Sequence, residues 1–129
     1  MAFSNYLEDQ ITGWINGSTF ATAPTATFVQ LYSQDPTDAG SATGALYTRI
    51  SVASGGWTRG TGGAGTLTNT AAITITSSAA SGATATHVAV FDTITGGNML
   101  FAGALASSKI IATGDEVKFN ATTLTLTVA

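Results

Sequence analysis

Thr86-His-Val-Ala-Val-Phe-Asp92 and Asn98-Met-Leu-Phe-Ala-Gly-Ala-Leu105, joined by Thr93-Ile-Thr-Gly-Gly97, decide how this chain folds. Both runs are apolar, rich in β-branched and aromatic residues, and bounded by turn-forming residues, which is how a strand reads. Gly96-Gly97 supplies the positive φ that a tight connection between two strands requires. Downstream, Lys109-Ile-Ile111 reads as a short edge segment. Glu116-Val-Lys-Phe119 and Thr123-Leu-Thr-Leu-Thr-Val128 read as a closing pair that turns near Asn120-Ala121. Lys118, between Val117 and Phe119, is the kind of outward charge that blunts an exposed strand edge.

Upstream the same β pattern continues. Thr27-Phe-Val-Gln-Leu-Tyr-Ser33 ends at Asp35-Pro36, and Asp35-Pro-Thr-Asp-Ala-Gly40 reads as a turn held by aspartate side chains. Tyr47-Thr-Arg-Ile-Ser-Val52 alternates, with Tyr47, Arg49 and Ser51 expected on one face and Thr48, Ile50 and Val52 on the other. A glycine-rich loop over 54–65 surrounds Trp57 and Arg59 and must be mobile or held by a partner. Thr66-Leu-Thr-Asn69 and Ala72-Ile-Thr-Ile-Thr76 add two more strands. Only the amino-terminal segment follows a helical period. Leu7, Ile11, Trp14 and Ile15 form one stripe, Asn5 is placed to cap it with Glu8 three residues on, and Gly17 supplies a left-handed stop. The expected fold is therefore all-β: a single-domain antiparallel β-sandwich over residues 1–129, jelly-roll-like, of about eight strands, with one short N-terminal α-helix at about 5–16.

Composition narrows what such a fold can do. The 129 residues include 24 threonines, 22 alanines, 15 glycines and 11 serines, and only 9% are charged. Leu, Ile, Val and Phe number 28, close to the floor for a chain that closes a core. Disordered chains this poor in strong hydrophobes normally carry many charges, so the chain reads as ordered and covered with hydroxyls. A net charge of −3 with four basic residues does not favour nucleic acid or an anionic membrane as partner. The amino terminus carries acids where a signal peptide carries lysines, and no membrane span or lipidation motif follows, so synthesis and folding in a cytoplasm are expected. Without cysteine there is no disulfide, thiolate or Cys-ligated metal site.

Catalytic templates find few residues to occupy. His87 is the single imidazole and opens an apolar strand, where a structural role is the ordinary one. An arrangement with Asp92 and a serine lacks a Gly-x-Ser-x-Gly elbow. Asp35 and Asp38 lack calcium-loop spacing, and one histidine with seven scattered acids does not make a zinc site. Gly60-Thr-Gly-Gly-Ala-Gly65 lacks the lysine and the following helix of a phosphate loop. The chain reads as non-catalytic, with no cofactor and no metal. Trp57 beside Arg59 admits three readings: a ring folded back over the sandwich end, an anchor at a subunit contact, or a platform for a sugar. The residues expected to make protein contacts are Leu7, Ile11, Trp14, Ile15, Trp57 and Arg59.

Several segments taken in order carry a resemblance. Asn5-Tyr-Leu-Glu-Asp9 with its helix, Asp35-Pro-Thr-Asp-Ala-Gly40, Tyr47-Thr-Arg49, Thr86–Asp92, Thr95–Leu105 and Gly114-Asp115 together resemble a family of small tailed-bacteriophage virion proteins, tail fibre-like or capsid cement. The resemblance spans nearly the whole chain. It implies a virion component without catalytic residues. The leading expectation is a capsid decoration protein that binds the major capsid protein and itself, as a homotrimer. The alternative is a tail or fibre component touching the host surface, with Trp57 and Tyr47 as glycan contacts.

Overall fold

The computed structural model describes residues 2–76 and 83–127. Its elements are β1 (Ala2–Phe3), α1 (Asn5–Ile15), β2 (Ala26–Tyr32), β3 (Ala45–Ala53), β4 (Trp57–Arg59), β5 (Thr66–Asn69), β6 (Ile73–Thr76), β7 (Ala83–Phe91), β8 (Met99–Ile111), β9 (Glu116–Phe119) and β10 (Thr125–Thr127). All strand pairs are antiparallel. They form a five-stranded sheet ordered β1-β8-β7-β2-β3, a three-stranded sheet β10-β5-β4 and a two-stranded sheet β6-β9. One apolar core joins the layers: Val29, Leu31, Val88, Val90 and Phe101 from the large sheet meet Ile73, Ile75, Val117, Leu124 and Leu126 from the smaller ones. The chain is thus an all-β, antiparallel, sandwich-like fold with one short helix, as its alternation predicts.

The opposite face of the large sheet is also buried, which period-2 alternation alone does not foretell. Tyr32, Ala89, Phe91, Met99 and Ala102 form a second cluster. The β2–β3 connection folds over it, with Pro36 buried and Gly40 against the Met99 side chain. Asp35 Oδ1 accepts the Thr37 N–H at 2.9 Å, so that connection contains the expected aspartate turn.

Four expectations about the strands and the loop over 54–65 are corrected here. Among the described residues the expected closing pair is not formed, because β9 pairs with β6 and β10 with β5 (Val128 lies outside the described residues). Lys109-Ile-Ile111 is no separate edge segment but the end of β8, running beside Ala83–Ala85. The loop over 54–65 contains strand β4, whose pairing with β5 supplies the order the glycines lack. With β1 the strands number ten among the described residues, not about eight.

The helix cap lies one residue earlier than Asn5. Ser4 is the N-cap, its Oγ accepting the Leu7 N–H at 3.2 Å, while the Asn5 N–H donates to the Asp38 carbonyl at 2.9 Å. Leu7 therefore occupies the third helical position, and Glu8 makes no capping box. At the other end Gly17, at φ +94°, closes the helix as expected. No helix among the described residues is long and apolar enough to cross a membrane.

Candidate interaction surface

Helix α1 divides along its length. Leu7 packs against the core from beside β1 and β8, and Ile11 is half-buried. One turn further, the stripe runs out of sheet to cover: Trp14 is 62% exposed and Ile15 73%. Two turns of contact hold the helix base, since a short helix depends on tertiary packing, and the tip projects apolar surface. The chain then doubles back, and Gln10 Oε1 accepts the Ala21 N–H at 2.9 Å, leaving Phe20 exposed nearby in sequence to that tie.

Trp57 behaves differently. From β4 its indole N–H donates to Thr27 Oγ1 at 2.8 Å, and its ring packs against the core, the folded-back arrangement of the three weighed. Arg59 is exposed on the same short strand. Tyr47, the other aromatic considered for a sugar, has a buried hydroxyl with no partner. Neither ring lies open for stacking. The candidate contact residues thus separate into an exposed pair on the helix tip, two packed residues at its base, and a β4 pair of which only Arg59 faces solvent.

Tyr47 also departs from the face assigned to it. Between Val29↔Ile50 and Leu31↔Leu46, β2 advances two residues while β3 advances four, so β3 bulges. Tyr47 takes φ +62° inside that bulge and turns toward the core with Ile50. Gln30, 5% exposed, fills the gap: its Nε2 donates to the carbonyls of Leu46 and Tyr47, and its Oε1 accepts from Arg49 Nε at 3.3 Å. Arg49 then lies 3.5 Å over the Phe91 ring and donates from one guanidinium nitrogen to the carbonyls of Thr93 and Gly96, each at 2.8 Å. Burial lowers the Arg49 pKa, with Tyr32 and Asp92 raising it in return. The latch ties the β3 bulge to the β7–β8 turn. A polar glutamine inside the apolar run Phe28–Tyr32 was the one sequence signal for it.

A groove of about 490 Å³ opens between the middle of β8 and the β9–β10 segment. Val88, Leu105, Val117, Phe119 and Leu124 give it an apolar floor, and Lys109 and Lys118 stand on its lining. Its mouth follows from a second irregularity. β7 residues Ala85 and His87 pair with Lys109 and Ala104, so the intervening β8 residues have no partner in β7.

The residues considered for chemistry are scattered. His87 Nδ1 shares a 2.9 Å hydrogen bond with Thr86 Oγ1, while Asp92 accepts from the Asn98 backbone at 2.7 Å and its side-chain amide at 2.9 Å. Five residues of strand separate the two, roughly 16 Å at a strand's rise. Asp115 Oδ2 accepts the Ala112 N–H at 3.0 Å in a turn before β9. No three His, Cys, Asp or Glu residues among those described stand together as a metal group would.

Compared with known families, residues 2–127 match the one described as podophage GP4 fiber I protein gp80. No curated protein matches the chain.

Proposed function

The chain belongs to the podophage GP4 fiber I protein gp80 family, which makes it a structural protein of a tailed-phage virion, and from that premise we propose that it is a fibre subunit working by contact alone. The observation that carries this reading is the helix tip. In a chain with only 28 strong hydrophobes, Trp14 and Ile15 are spent on solvent, where they gain nothing until another protein covers them. His87 Nδ1 and the Asp92 carboxylate are each hydrogen-bonded to their own neighbours, and the fibre reading asks no reaction of them. The hydroxyl-rich surface, low charge and net −3 support protein partners over nucleic acid or membrane. As a repeated subunit the chain acts as a homotrimer, in which modest contacts gain strength by repetition.

Capsid decoration is the competing reading, in which the tip would clamp the major capsid protein. Quantitative mass spectrometry of purified virions separates the two. A fibre subunit is present at a small fraction of the major capsid protein, and removal of the tail removes it. A copy number approaching that of the shell protein, retained on tailless heads, overturns the fibre reading.

A further inference from the structure

The helix tip and the β8–β9–β10 groove are complementary in polarity and charge. At the tip, Trp14 and Ile15 are the most exposed large hydrophobes of the helix, and the last turn carries no basic residue. The helix carbonyls there present the negative pole of the dipole without a side chain to neutralise it, and the exposed acids Glu8 and Asp9 add charge of the same sign along the helix. The groove answers with an apolar floor flanked by Lys109 and Lys118, the only two lysines of the chain. The acids Asp115 and Glu116 line the neighbouring recess with the same two lysines, not the groove itself. At about 490 Å³ the groove falls in the range of sites that bury a ligand of several rings, room enough for an indole and an isoleucine side chain. The lining residues of the groove include none from α1, so a chain does not fill its own groove with its own tip.

We propose that the α1 tip of one copy, Trp14 with Ile15, seats in the β8–β9–β10 groove of a second copy. This rests on the reading of the chain as a repeated fibre subunit and names the contact by which copies join. Tip and groove are different surfaces, so the contact is head-to-tail. It builds a ring where the rotation closes, at three copies for a trimer, and a filament where it does not. Trp14 is the anchor, a buried tryptophan surrounded by smaller contacts, and the lysines steer the negative helix end into place.

Purified full-length chain tests this by sedimentation velocity over a concentration series. Wild type is expected to self-associate, and added salt to weaken the association. Trp14→Asp removes the tip, and Ala104→Glu places a bulky acid in the groove. Both positions are exposed, so circular dichroism and the melting curve of each variant are expected to match wild type. Each variant alone is expected to dissociate at least tenfold more readily than wild type. Mixed, they are expected to form a 1:1 dimer and nothing larger, because one intact tip then meets one intact groove. A mixture that stays monomeric, or a wild type that stays monomeric at its highest soluble concentration, overturns the proposal. A photo-crosslinker at position 14 in assembled virions that captures a different protein overturns it as well. Absence of the chain from the tail would sink the fibre reading and leave this contact standing, so the two failures are distinct.

Discussion

Replacing Asn69 is the sharpest test of how the two smaller sheets are held. Asn69 is 0% exposed at the end of β5. Its Nδ2 donates to the carbonyls of Ala71 and Asn120, each at 2.9 Å, with a longer 3.4 Å approach to Phe119, and its Oδ1 accepts the Leu124 N–H at 2.9 Å. Its backbone adds two more bonds to the same segment, to the Leu124 carbonyl at 3.2 Å and from the Thr122 N–H at 2.8 Å. One residue thus staples β5 to the turn between β9 and β10. Asn69→Ala deletes three good side-chain hydrogen bonds at about 1 kcal/mol each and leaves the buried Leu124 N–H unpaired, adding at least about 1 kcal/mol. The expected loss is about 4 kcal/mol, a large part of the roughly 5–15 kcal/mol that holds a domain together. With an unfolding entropy near 2.1 cal/mol/K per residue over 129 residues, that lowers Tm by about 15 °C. Urea titration and calorimetry read both numbers.

Asn69→Asp supplies the control for mechanism. The carboxylate would face the carbonyl oxygens that Nδ2 now satisfies, so its folded pKa must lie above the unfolded value of about 3.9. A group raised in the folded state stabilises below its unfolded pKa and loses that contribution as pH rises through the folded one. The Asp variant is therefore expected to gain stability relative to wild type as pH falls from 7 toward 4, while the Ala variant keeps a constant deficit. An Ala variant costing less than about 1.5 kcal/mol, or an Asp variant whose deficit ignores pH, refutes the staple.

Arg49→Lys keeps a charge over Phe91 but loses the fork that reaches Thr93, Gly96 and Gln30. A loss of about 1–2 kcal/mol in urea unfolding is expected, with Arg49→Ala costing more, and equal stability of Lys and Arg forms contradicts the latch. Tyr32 is buried, which raises its phenol pKa above 10.0, while Arg49 pulls it down; stability should hold up to about that pH and fall above it, and Tyr32→Phe should flatten the fall in alkaline urea titrations. Gly97 sits at φ +67° with its missing Cβ directed at the side chains of Thr93 and Asp92, so Gly97→Ala is expected to lower Tm by several degrees where Gly55→Ala, with open space around it, pays only for backbone strain. Ser4→Ala should cost about 1 kcal/mol and Asn5→Ala less, which thermal melts of the two variants compare directly.

Local chemistry was legible residue by residue. The stripe Leu7, Ile11, Trp14, Ile15 makes α1, with Gly17 ending it, because a helix is written in contacts three and four residues apart. Gly96 and Gly97 take the positive φ that the β7–β8 connection needs, and Asp35 holds its turn. The β-branched and aromatic runs Thr27–Ser33 and Thr86–Asp92 become β2 and β7. Where two local signals competed, a distant partner settled the outcome. Asn5 and Ser4 both have capping side chains, and the Asp38 carbonyl, which binds the Asn5 N–H, leaves the cap to Ser4.

What the amino-acid order determined by itself is the alphabet of this protein: strands with one helix, few charges, no thiol chemistry, and an apolar helix stripe longer than the helix base can bury. Which strand lies beside which was decided only in three dimensions. β9 and β10 are neighbours in sequence yet pair with β6 and β5, since backbone hydrogen bonds carry no side-chain identity and any strand edge can accept any other. The same holds for the exposed tip and the groove. Both arise because the folded sheets end where they do, leaving Trp14 and Ile15 beyond the β1–β8 edge and a bulge in β8 above Leu124, positions that depend on distant packing and have no signature in a local run of residues.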